Sequence, residues 1–189
     1  VGDHFQLSAR QRIALKRAIC STEQYNKRIS KMLPLEAING DSLFIDGFNL
    51  IIVLEVALSG SLLILGDDGV IRDLAGLRGT YKPIDKTDIA LALIGKALIE
   101  LNVAHVKFFL DAPVSNSGVL KGKITSLESE WGINVEVELV PNPDVILSDM
   151  NRVISSDSII LDNCKSWFNL SRYIIENYIR DAWIIAPDS

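Results

Sequence analysis

Four aspartates follow apolar runs of the kind that form buried strands. Asp46 ends "SLFID", Asp111 ends "VKFFLD", and Asp144 and Asp157 follow two later runs. The carboxyl ends of neighbouring parallel strands meet at one edge of an open sheet, so these side chains are expected to converge there. Carboxylates that lie close together repel one another unless a cation neutralises them, and sites built only from oxygen favour hard ions. The pattern therefore predicts a Mg²⁺ or Mn²⁺ site.

Asp162 follows Asp157 by five residues and is expected to join the same group. Taken singly, an aspartate after a strand is more often a turn or helix-cap residue, so it is their number and order that favour a site. Other chemistries have less support, because the sequence has two histidines, His4 and His105, and no nucleophile elbow, C-x-x-C, P-loop or G-x-G-x-x-G motif. The "GDDG" at 66–69 is interpreted as a hairpin turn and not as a phosphate loop.

The elements that must position these residues alternate between helices and strands. Two N-terminal helices are predicted, at 8–20 with Ser8 as its cap and from 21 or 22 to 33, before Pro34. The later elements are, in order, a strand at 43–46, a helix at 49–59, a hairpin around 66–69, a helix at 85–102, a strand at 106–111, a helix at 117–131, an edge strand at 133–140, a short helix at 145–151, a strand at 152–157, a helix at 166–179 and a strand at 182–185. This alternation predicts an α/β fold, with three α/β/α layers and a mainly parallel central sheet, plus an N-terminal helical appendage.

The charge is divided between two parts of the chain. Residues 1–39 carry seven Lys or Arg and three Asp or Glu, whereas residues 40–189 carry twelve and twenty-one. We therefore expect a basic helical appendage at 1–39 and an acidic main domain at 40–189. Basic side chains can hold a polyanion by neutralising its phosphates, although a solvated helix face explains them equally well. The candidates for nucleic-acid binding are Arg10, Arg12, Lys16, Arg17, Lys27, Arg28, Lys31, Arg72, Arg78, Lys82, Lys121 and Lys123.

The composition limits the class of protein. A chain of 189 residues, 48% hydrophobic and 23% charged, suits one α/β domain with a small appendage and argues against disorder. The longest apolar run, Leu50 to Leu58, is interrupted by Glu55, so no membrane span is expected. The N-terminus lacks a signal-peptide pattern and two cysteines are too few for a disulfide framework, so a cytoplasmic location is expected.

The sequence "LFIDGFNLI" resembles the opening strand motif of PIN/NYN-like ribonuclease domains, in which Asp-Gly-x-Asn follows an apolar run. Similar motifs follow in order as "VKFFLDAPVSNSG", "PNPDVILSDM", "RVISSDSIILD" and "NYIRDAWIIAPDS", the last of which resembles the closing segment of the Regnase-like branch. The resemblance covers residues 42–189 and implies a PIN-like fold. It also implies that Asp46, Asp144 and Asp157 bind a metal and that Asp162 is a second acid beside them.

The same resemblance gives roles to neighbouring residues. Asn49 matches the residue that orients the first acid or a substrate phosphate, and Ser156 matches the small polar residue before the acid of the fourth motif. Many PIN nucleases carry a glutamate on a helix between the first and third acids, and Glu55 is the candidate for it here. Asp111 has no firm counterpart in the Regnase-like branch and is an additional candidate.

A second resemblance concerns the N-terminal part of the chain. Residues 1–80 resemble an archaeal family of unknown function, DUF434, on the stretches "VGDHFQLSARQRIAL", "IDGFNLIIVLEVALSG" and "DDGVIRDLAG". This resemblance implies no activity, but it implies that the basic helical appendage belongs to the protein.

Together these patterns predict a Mg²⁺- or Mn²⁺-dependent nuclease that acts on RNA in preference to DNA. The ion would polarise a phosphoryl oxygen and activate water for in-line attack. The alternatives are a catalytically degenerate PIN-like protein that binds nucleic acid or serves as a scaffold and, ranked lower, another metal phosphohydrolase, because the aspartyl-phosphatase loop is absent after the first strand. Self-association into a homo-oligomer is left open. The expected catalytic residues are Asp46, Asn49, Asp144, Asp157 and Asp162.

Overall fold

A four-stranded parallel sheet forms the centre of an α/β fold, in agreement with the fold class predicted from the sequence. The computed structural model describes residues 7–75 and 79–186, except for the side chain of Arg10. Within these residues the strands are β1 (Ser42–Asp46), β2 (Leu63–Leu65), β3 (Ile71–Asp73), β4 (His105–Asp111), β5 (Asn134–Val140), β6 (Val153–Ile154) and β7 (Ile184–Ile185). The central sheet has the order β5-β4-β1-β6, and every pairing in it is parallel.

Helices connect these strands. In the same residues they are α1 (Ala9–Ala18), α2 (Thr22–Ile29), α3 (Gly47–Leu58), α4 (Asp85–Glu100), α5 (Ser117–Ser126), α6 (Glu128–Trp131), α7 (Pro143–Leu147), α8 (Ser158–Asn163) and α9 (Leu170–Tyr178), with a 3-10 turn at Leu35–Ile38. The first two helices begin with capping boxes, in which Ser8 and Gln11, and then Ser21 and Gln24, exchange hydrogen bonds that satisfy unpaired backbone N–H groups. None of the helices in the described part of the chain is both long enough and apolar enough to cross a membrane.

Two apolar clusters cover the two faces of the central sheet. Leu43 and Ile45 of β1 belong to the cluster that contains α3, α4, α5 and α9, whereas Phe44 between them packs against the cluster that contains α7 and α8. Phe108 and Phe109 of β4 divide in the same way. Successive side chains of a strand point to opposite faces, so this division places helices on both sides of the sheet. It also explains why "VKFFL" is apolar without interruption.

Three strands form a second sheet that the sequence did not separate from the first. The order is β3-β2-β7, with β2 antiparallel to β3 and parallel to β7. The turn predicted at 66–69 joins β2 to β3, and the Gly66 N–H donates to the Val70 carbonyl across it. Local patterns predict a strand but not its sheet, because the partner of β7 lies more than a hundred residues earlier.

Several predicted elements have different bounds. The helix predicted at 117–131 is divided into α5 and α6, and the helix predicted at 166–179 begins at Leu170. The strand predicted at 152–157 pairs over two residues, and α8, which follows it, was not predicted. This short helix decides the direction of Asp162.

The N-terminal segment, residues 7–39 as described here, is attached closely to the main domain. The Trp167 N–H donates to the Lys31 carbonyl over 3.1 Å, and the Leu33 N–H donates to the Trp167 carbonyl over 2.9 Å. The buried Trp167 indole N–H also donates to the Arg28 carbonyl over 2.9 Å. The fully buried Trp167 therefore joins the N-terminal segment to the main domain by three hydrogen bonds.

Candidate carboxylate site

Four aspartates from four separate elements line one cavity of about 290 Å³. Asp46 and Asp111 end β1 and β4, which are neighbours in the sheet, while Asp144 lies in the first turn of α7 and Asp157 is the N-cap residue of α8. The parallel direction of the strands brings these positions to one edge. The structure thus brings together four of the acids that the sequence predicts as a group.

Gly47 allows the first of these acids to reach the cavity. A Cβ atom at this position would lie 2.5 Å from Cδ2 of Leu110 and 3.2 Å from the Phe109 carbonyl oxygen. The turn from β1 into α3 therefore passes close against β4, and a larger residue at this position would require Leu110 and the neighbouring backbone to move. This close approach gives a structural reason for the Asp-Gly pair in "IDGFN".

Asp46 is the most buried of the four aspartates, with 6% of its surface exposed. Its Oδ2 accepts a hydrogen bond of 2.8 Å from the Ser155 hydroxyl. The pKa of its carboxyl group is raised to about 8, first by burial and then by the charges of the neighbouring aspartates, while the Ser155 hydrogen bond acts in the opposite direction. A carboxylate in this position is costly to ionise unless a cation accompanies it.

The pKa values of two further aspartates of the cavity, Asp144 and Asp111, are raised in the same direction. Burial raises the pKa of Asp144, and the charges of Asp157 and Asp111 raise it as well. Burial also raises the pKa of Asp111. The cavity therefore has an electrostatic environment that favours either protons or cations.

A hydrogen-bonded turn holds Asp157 beside Asp46. The Asp157 N–H donates to the Ser155 hydroxyl over 3.0 Å, and that hydroxyl in turn donates to Asp46. Oδ1 of Asn49 accepts two hydrogen bonds of 2.8 Å, from the N–H and the hydroxyl of Ser156. Asn49 thus orients the turn that carries Asp157, whereas the resemblance implied that it orients the first acid or a substrate phosphate. Ser155 was not singled out from the sequence, although its position in "SSD" could have indicated it.

Asp73 and Arg17 complete the wall of this cavity. Asp73, at the end of β3, is 5% exposed and was also missed from the sequence. Nη1 of Arg17 donates to the Asp73 backbone carbonyl and, over 3.1 Å, to its Oδ2. Among the predicted nucleic-acid-binding residues whose side chains are described, Arg17 is the one that lines the cavity.

The cavity wall meets some of the requirements of a divalent ion. Within residues 7–75 and 79–186, no three His, Cys, Asp or Glu side chains are grouped so that they could hold a metal ion by themselves. The donors of the cavity are nevertheless carboxylate oxygens, which suit Mg²⁺ and Mn²⁺. Mg²⁺ commonly keeps several water molecules and is held by one or two carboxylates together with substrate phosphates. The residues present fit an ion bound in that manner and do not fit a site made of protein ligands alone.

Asp162 and Glu55 do not join this group, which corrects the expectation from the sequence. Asp162 forms a bidentate ion pair with Arg28, with distances of 2.6 and 3.0 Å. Although burial acts to raise it, the pKa of Asp162 is held below its ordinary value by that hydrogen-bonded guanidinium. Glu55 accepts hydrogen bonds from the hydroxyl groups of Tyr81 and Thr87 in the core. Neither residue lines the carboxylate cavity.

Three of the predicted phosphate-binding residues instead have structural partners. Arg28 is 3% exposed and donates to Asp68 over 2.6 Å as well as to Asp162. Arg72 is equally buried and donates twice to Asp68, over 2.8 and 2.7 Å. The Lys31 ammonium group donates to the carbonyls of residues 161 and 162, near the C-terminus of α8. These contacts help to attach the N-terminal segment to the main domain, and they give all three cations partners within the protein.

The remaining basic candidates lie outside the cavity wall or outside the described residues. The Lys123 ammonium group pairs with Asp88 over 2.6 Å. The exposed candidates are Arg12, Lys16, Lys27, Lys82 and Lys121. The side chain of Arg10 and all of Arg78 lie outside the described residues.

A larger cavity, of about 450 Å³, lies between α2 and α9. Its walls combine apolar residues such as Tyr25, Ile29 and Met32 with the polar Asn169 and Arg172. It does not contain the convergent carboxylates, so its size does not make it the better candidate for catalysis.

Comparisons with known proteins place the chain among families of unknown function. Residues 35–173 match a family described as domain of unknown function DUF5616, and residues 1–31 match a protein family of unknown function, DUF434. The second match confirms the N-terminal resemblance, although it ends at residue 31 and not at residue 80. Neither match supports a relationship to PIN or NYN domains.

A relative is known from an archaeon. The chain is 34% identical over 178 residues to the uncharacterized protein MJ0935 of Methanocaldococcus jannaschii, and the aligned region covers 93% of this chain and 85% of that protein. No solved structure matches the chain. The match over residues 35–173 shows that the chain belongs to the DUF5616 family.

Proposed function

We propose that this protein is a Mg²⁺- or Mn²⁺-dependent nuclease that hydrolyses phosphodiester bonds, with RNA as the preferred substrate, at the carboxylate cavity. The observation that carries this proposal is the convergence of Asp46, Asp111, Asp144 and Asp157 from four elements on one cavity. A stable fold gains nothing from placing like charges together, and the raised pKa of Asp46 expresses that cost. Such an arrangement is typical of functional sites, where binding a cation or catalysing a reaction offsets the unfavourable repulsion.

In this proposal some residues of the cavity bind the ion, and others position the residues that bind it. Asp46, Asp144 and Asp157 hold the ion, partly through water, and Asp111 adds a further negative charge. Asn49, through Ser156, and Ser155 fix the turn that places Asp157 opposite Asp46. When bound, the ion would neutralise the phosphate charge and make a water molecule a stronger nucleophile.

The PIN-like architecture is part of the same proposal. The four-stranded parallel sheet with acids at its carboxyl edge supports it, since the resemblance implies this arrangement. Glu55 points into the core and accepts a hydrogen bond from Tyr81, so it does not supply the helix glutamate of many PIN nucleases. Asp111, which has no firm counterpart in the Regnase-like branch, lies on the cavity wall and supplies a negative charge in place of that glutamate.

Hydrolysis of labelled single-stranded RNA in the presence of Mn²⁺ tests the proposal. We expect cleavage by the wild type and at least a hundredfold loss in Asp46→Asn and Asp157→Asn, since each removes a carboxylate from the ion. Asp149→Asn is the matched control, because Asp149 is exposed and lies outside the cavity wall. Equal cleavage by wild type and both cavity variants would exclude the proposal.

A second candidate function is a nucleic-acid-binding or scaffolding protein with a degenerate nuclease fold. It is favoured by the observation that no three potential ligands are grouped around one point in the described residues. Calorimetry with Mn²⁺ separates the two candidates. RNA binding without measurable binding of Mn²⁺, either alone or with RNA present, would support the second candidate.

A further inference from the structure

The carboxylate cavity presents an electrostatic problem for a phosphodiester substrate. Its wall carries five aspartates, Asp46, Asp73, Asp111, Asp144 and Asp157, and a phosphate that approaches them is repelled. Proteins that bind nucleic acid offset phosphate charge with Lys and Arg side chains. Among the residues that line this cavity, the one such side chain is Arg17.

Arg17 comes from a different part of the protein from the acids. It lies in α1, within residues 1–31 that match DUF434, whereas the aspartates lie within residues 35–173 that match DUF5616. The C-terminal end of α1 is fixed on the main domain, since the Asp67 N–H donates to the Ala18 carbonyl over 2.8 Å. The Arg17 carbonyl also accepts a hydrogen bond of 3.3 Å from Arg72. The backbone at Arg17 is therefore held in place beside the cavity.

Within residues 7–75 and 79–186, the Arg17 guanidinium group keeps N–H donors that no other residue occupies. Its hydrogen bonds to Asp73 all use Nη1, and Nε and Nη2 donate to no other residue in the described part of the chain. Its side chain is 31% exposed, in contrast to 3% for Arg28, which is fully used by two aspartates. A planar guanidinium that is anchored on one side can present its remaining N–H groups to two oxygens of one phosphate.

We infer that Arg17, supplied by the N-terminal segment, is the residue of this cavity that binds a backbone phosphate of a single-stranded nucleic acid. The inference rests on the proposed function, because it assigns the substrate contact of the same site. It makes the N-terminal segment a part of the binding site in addition to its structural attachment. Asp73 then orients the guanidinium, as a carboxylate commonly does for an arginine that binds phosphate.

A purely structural role for Arg17 makes different predictions. If Arg17 and Asp73 only held α1 in place, Arg17→Ala and Asp73→Asn would both weaken that attachment and neither would raise RNA affinity; the loss in Asp73→Asn would be the smaller, because the bond from Arg17 to the Asp73 backbone carbonyl remains. If Arg17 binds phosphate, Arg17→Ala removes the cation, whereas Asp73→Asn keeps it and removes a repelling charge. The two variants should then change RNA affinity in opposite directions.

The experiment measures binding of a fluorescein-labelled oligouridylate in EDTA over a series of KCl concentrations. The full chain is compared with Arg17→Ala, Arg17→Lys, Asp73→Asn and the control Arg180→Ala, which removes the same charge from an exposed position outside the cavity. Thermal unfolding is recorded for each variant to verify that it is folded.

We expect Arg17→Ala to weaken binding about tenfold and to reduce the magnitude of the salt slope by about 0.7, the value for one phosphate contact on a single strand. Arg17→Lys should retain the slope but bind more weakly, because lysine cannot form the bidentate contact. Asp73→Asn should bind at least as tightly as the wild type. Arg180→Ala should change affinity less than twofold.

An unchanged salt slope in folded Arg17→Ala, an equal loss in Arg180→Ala, or no RNA binding by the wild type would each overturn the inference. Because the assay contains EDTA, it does not depend on hydrolysis. Arg17-dependent binding without Mn²⁺-dependent cleavage would refute the proposed nuclease alone. Cleavage that is unaffected by Arg17→Ala would refute the inference alone.

Discussion

Replacing Asp46 with asparagine should stabilise the protein at alkaline pH while removing the proposed nuclease activity. Asp46 is buried, and its pKa is raised from the ordinary value of 3.8 to about 8. The folded protein therefore binds a proton at this group that the unfolded chain releases between about pH 4 and pH 8. Stability falls as the pH rises through this window, and above it the full cost of ionising the buried group is present. Asparagine keeps an oxygen to accept the Ser155 hydrogen bond and carries no charge.

The size of the effect follows from the shift in pKa. A difference of about 4 units at about 1.4 kcal/mol each gives roughly 6 kcal/mol as an upper limit for the whole range, and the real value is smaller because the cavity can admit water and relax. The difference in unfolding free energy between Asp46→Asn and the wild type should therefore increase by about 2 to 5 kcal/mol from about pH 4.5 to about pH 9. For a domain of ordinary stability this is a large fraction of the total.

Urea unfolding in EDTA, followed by circular dichroism at several pH values, measures this difference. Titrating groups that do not interact with Asp46 contribute equally to both proteins and cancel when the two curves are subtracted. The charges of Asp111, Asp144 and Asp157 are coupled to Asp46, so the measured difference includes their response to its removal. At about pH 8, addition of Mn²⁺ should stabilise the wild type and not the variant, because in the proposed site the ion binds the carboxylates of the folded protein and not those of the unfolded chain. A difference that stays constant within about 0.5 kcal/mol over the whole pH range would refute the assigned cost of ionisation. Equal stabilisation of both proteins by Mn²⁺ would show that Asp46 is not an ion ligand.

Three further predictions concern residues outside the cavity. Asp162→Asn should lower the unfolding free energy by about 2 kcal/mol, because it weakens the ion pair with buried Arg28. Mn²⁺ binding, measured by calorimetry, should not change. A loss of Mn²⁺ affinity would indicate that Asp162 belongs to the proposed ion site. Glu55→Ala should cost about 2 to 3 kcal/mol in urea unfolding, because two buried hydroxyl groups lose their acceptor, again with Mn²⁺ affinity unaltered; weakened Mn²⁺ binding would contradict this assignment. Gly95→Ala should lower the melting temperature and cost about 2 kcal/mol, because the new Cβ would lie 2.0 Å from Nε1 of Trp131; a melting temperature equal to that of the wild type would contradict the close packing.

The directions of Asp162 and Glu55 show why a list of acids does not define a site. Asp162 follows Asp157 by five residues, and a helix of 3.6 residues per turn rotates by about 140° over that distance. Once α8 is known, the two acids are therefore expected on different faces, but "SSDSIILD" was interpreted as a strand followed by a loop. Glu55 lies six residues after Asn49 on α3, a rotation of about 240°, and it points into the core.

The basic residues of the N-terminal segment show a different limit. The sequence places Arg28 and Lys31 on the basic face of one predicted helix, which suits solvent or phosphate, whereas in the structure α2 ends at Ile29, before Lys31. Their partners, Asp68 and the end of α8, lie 40 to 131 residues away along the chain. No local pattern indicates such a pairing, so an appendage predicted from charge alone is in fact joined to the main domain by buried ion pairs.

The sequence by itself determined the local elements and the residues that end them. Strand and helix periods, the Ser8 cap and the position of Asp46, Asp111, Asp144 and Asp157 after apolar runs are all properties of short stretches, so they can be predicted without the fold. The tertiary structure alone decided which charges face one another. Asp162 and Arg28 neutralise each other in a buried network, whereas the four aspartates share a cavity with Arg17. Coulomb energy and burial depend on distance in space, and the sequence does not contain that distance until the chain has folded.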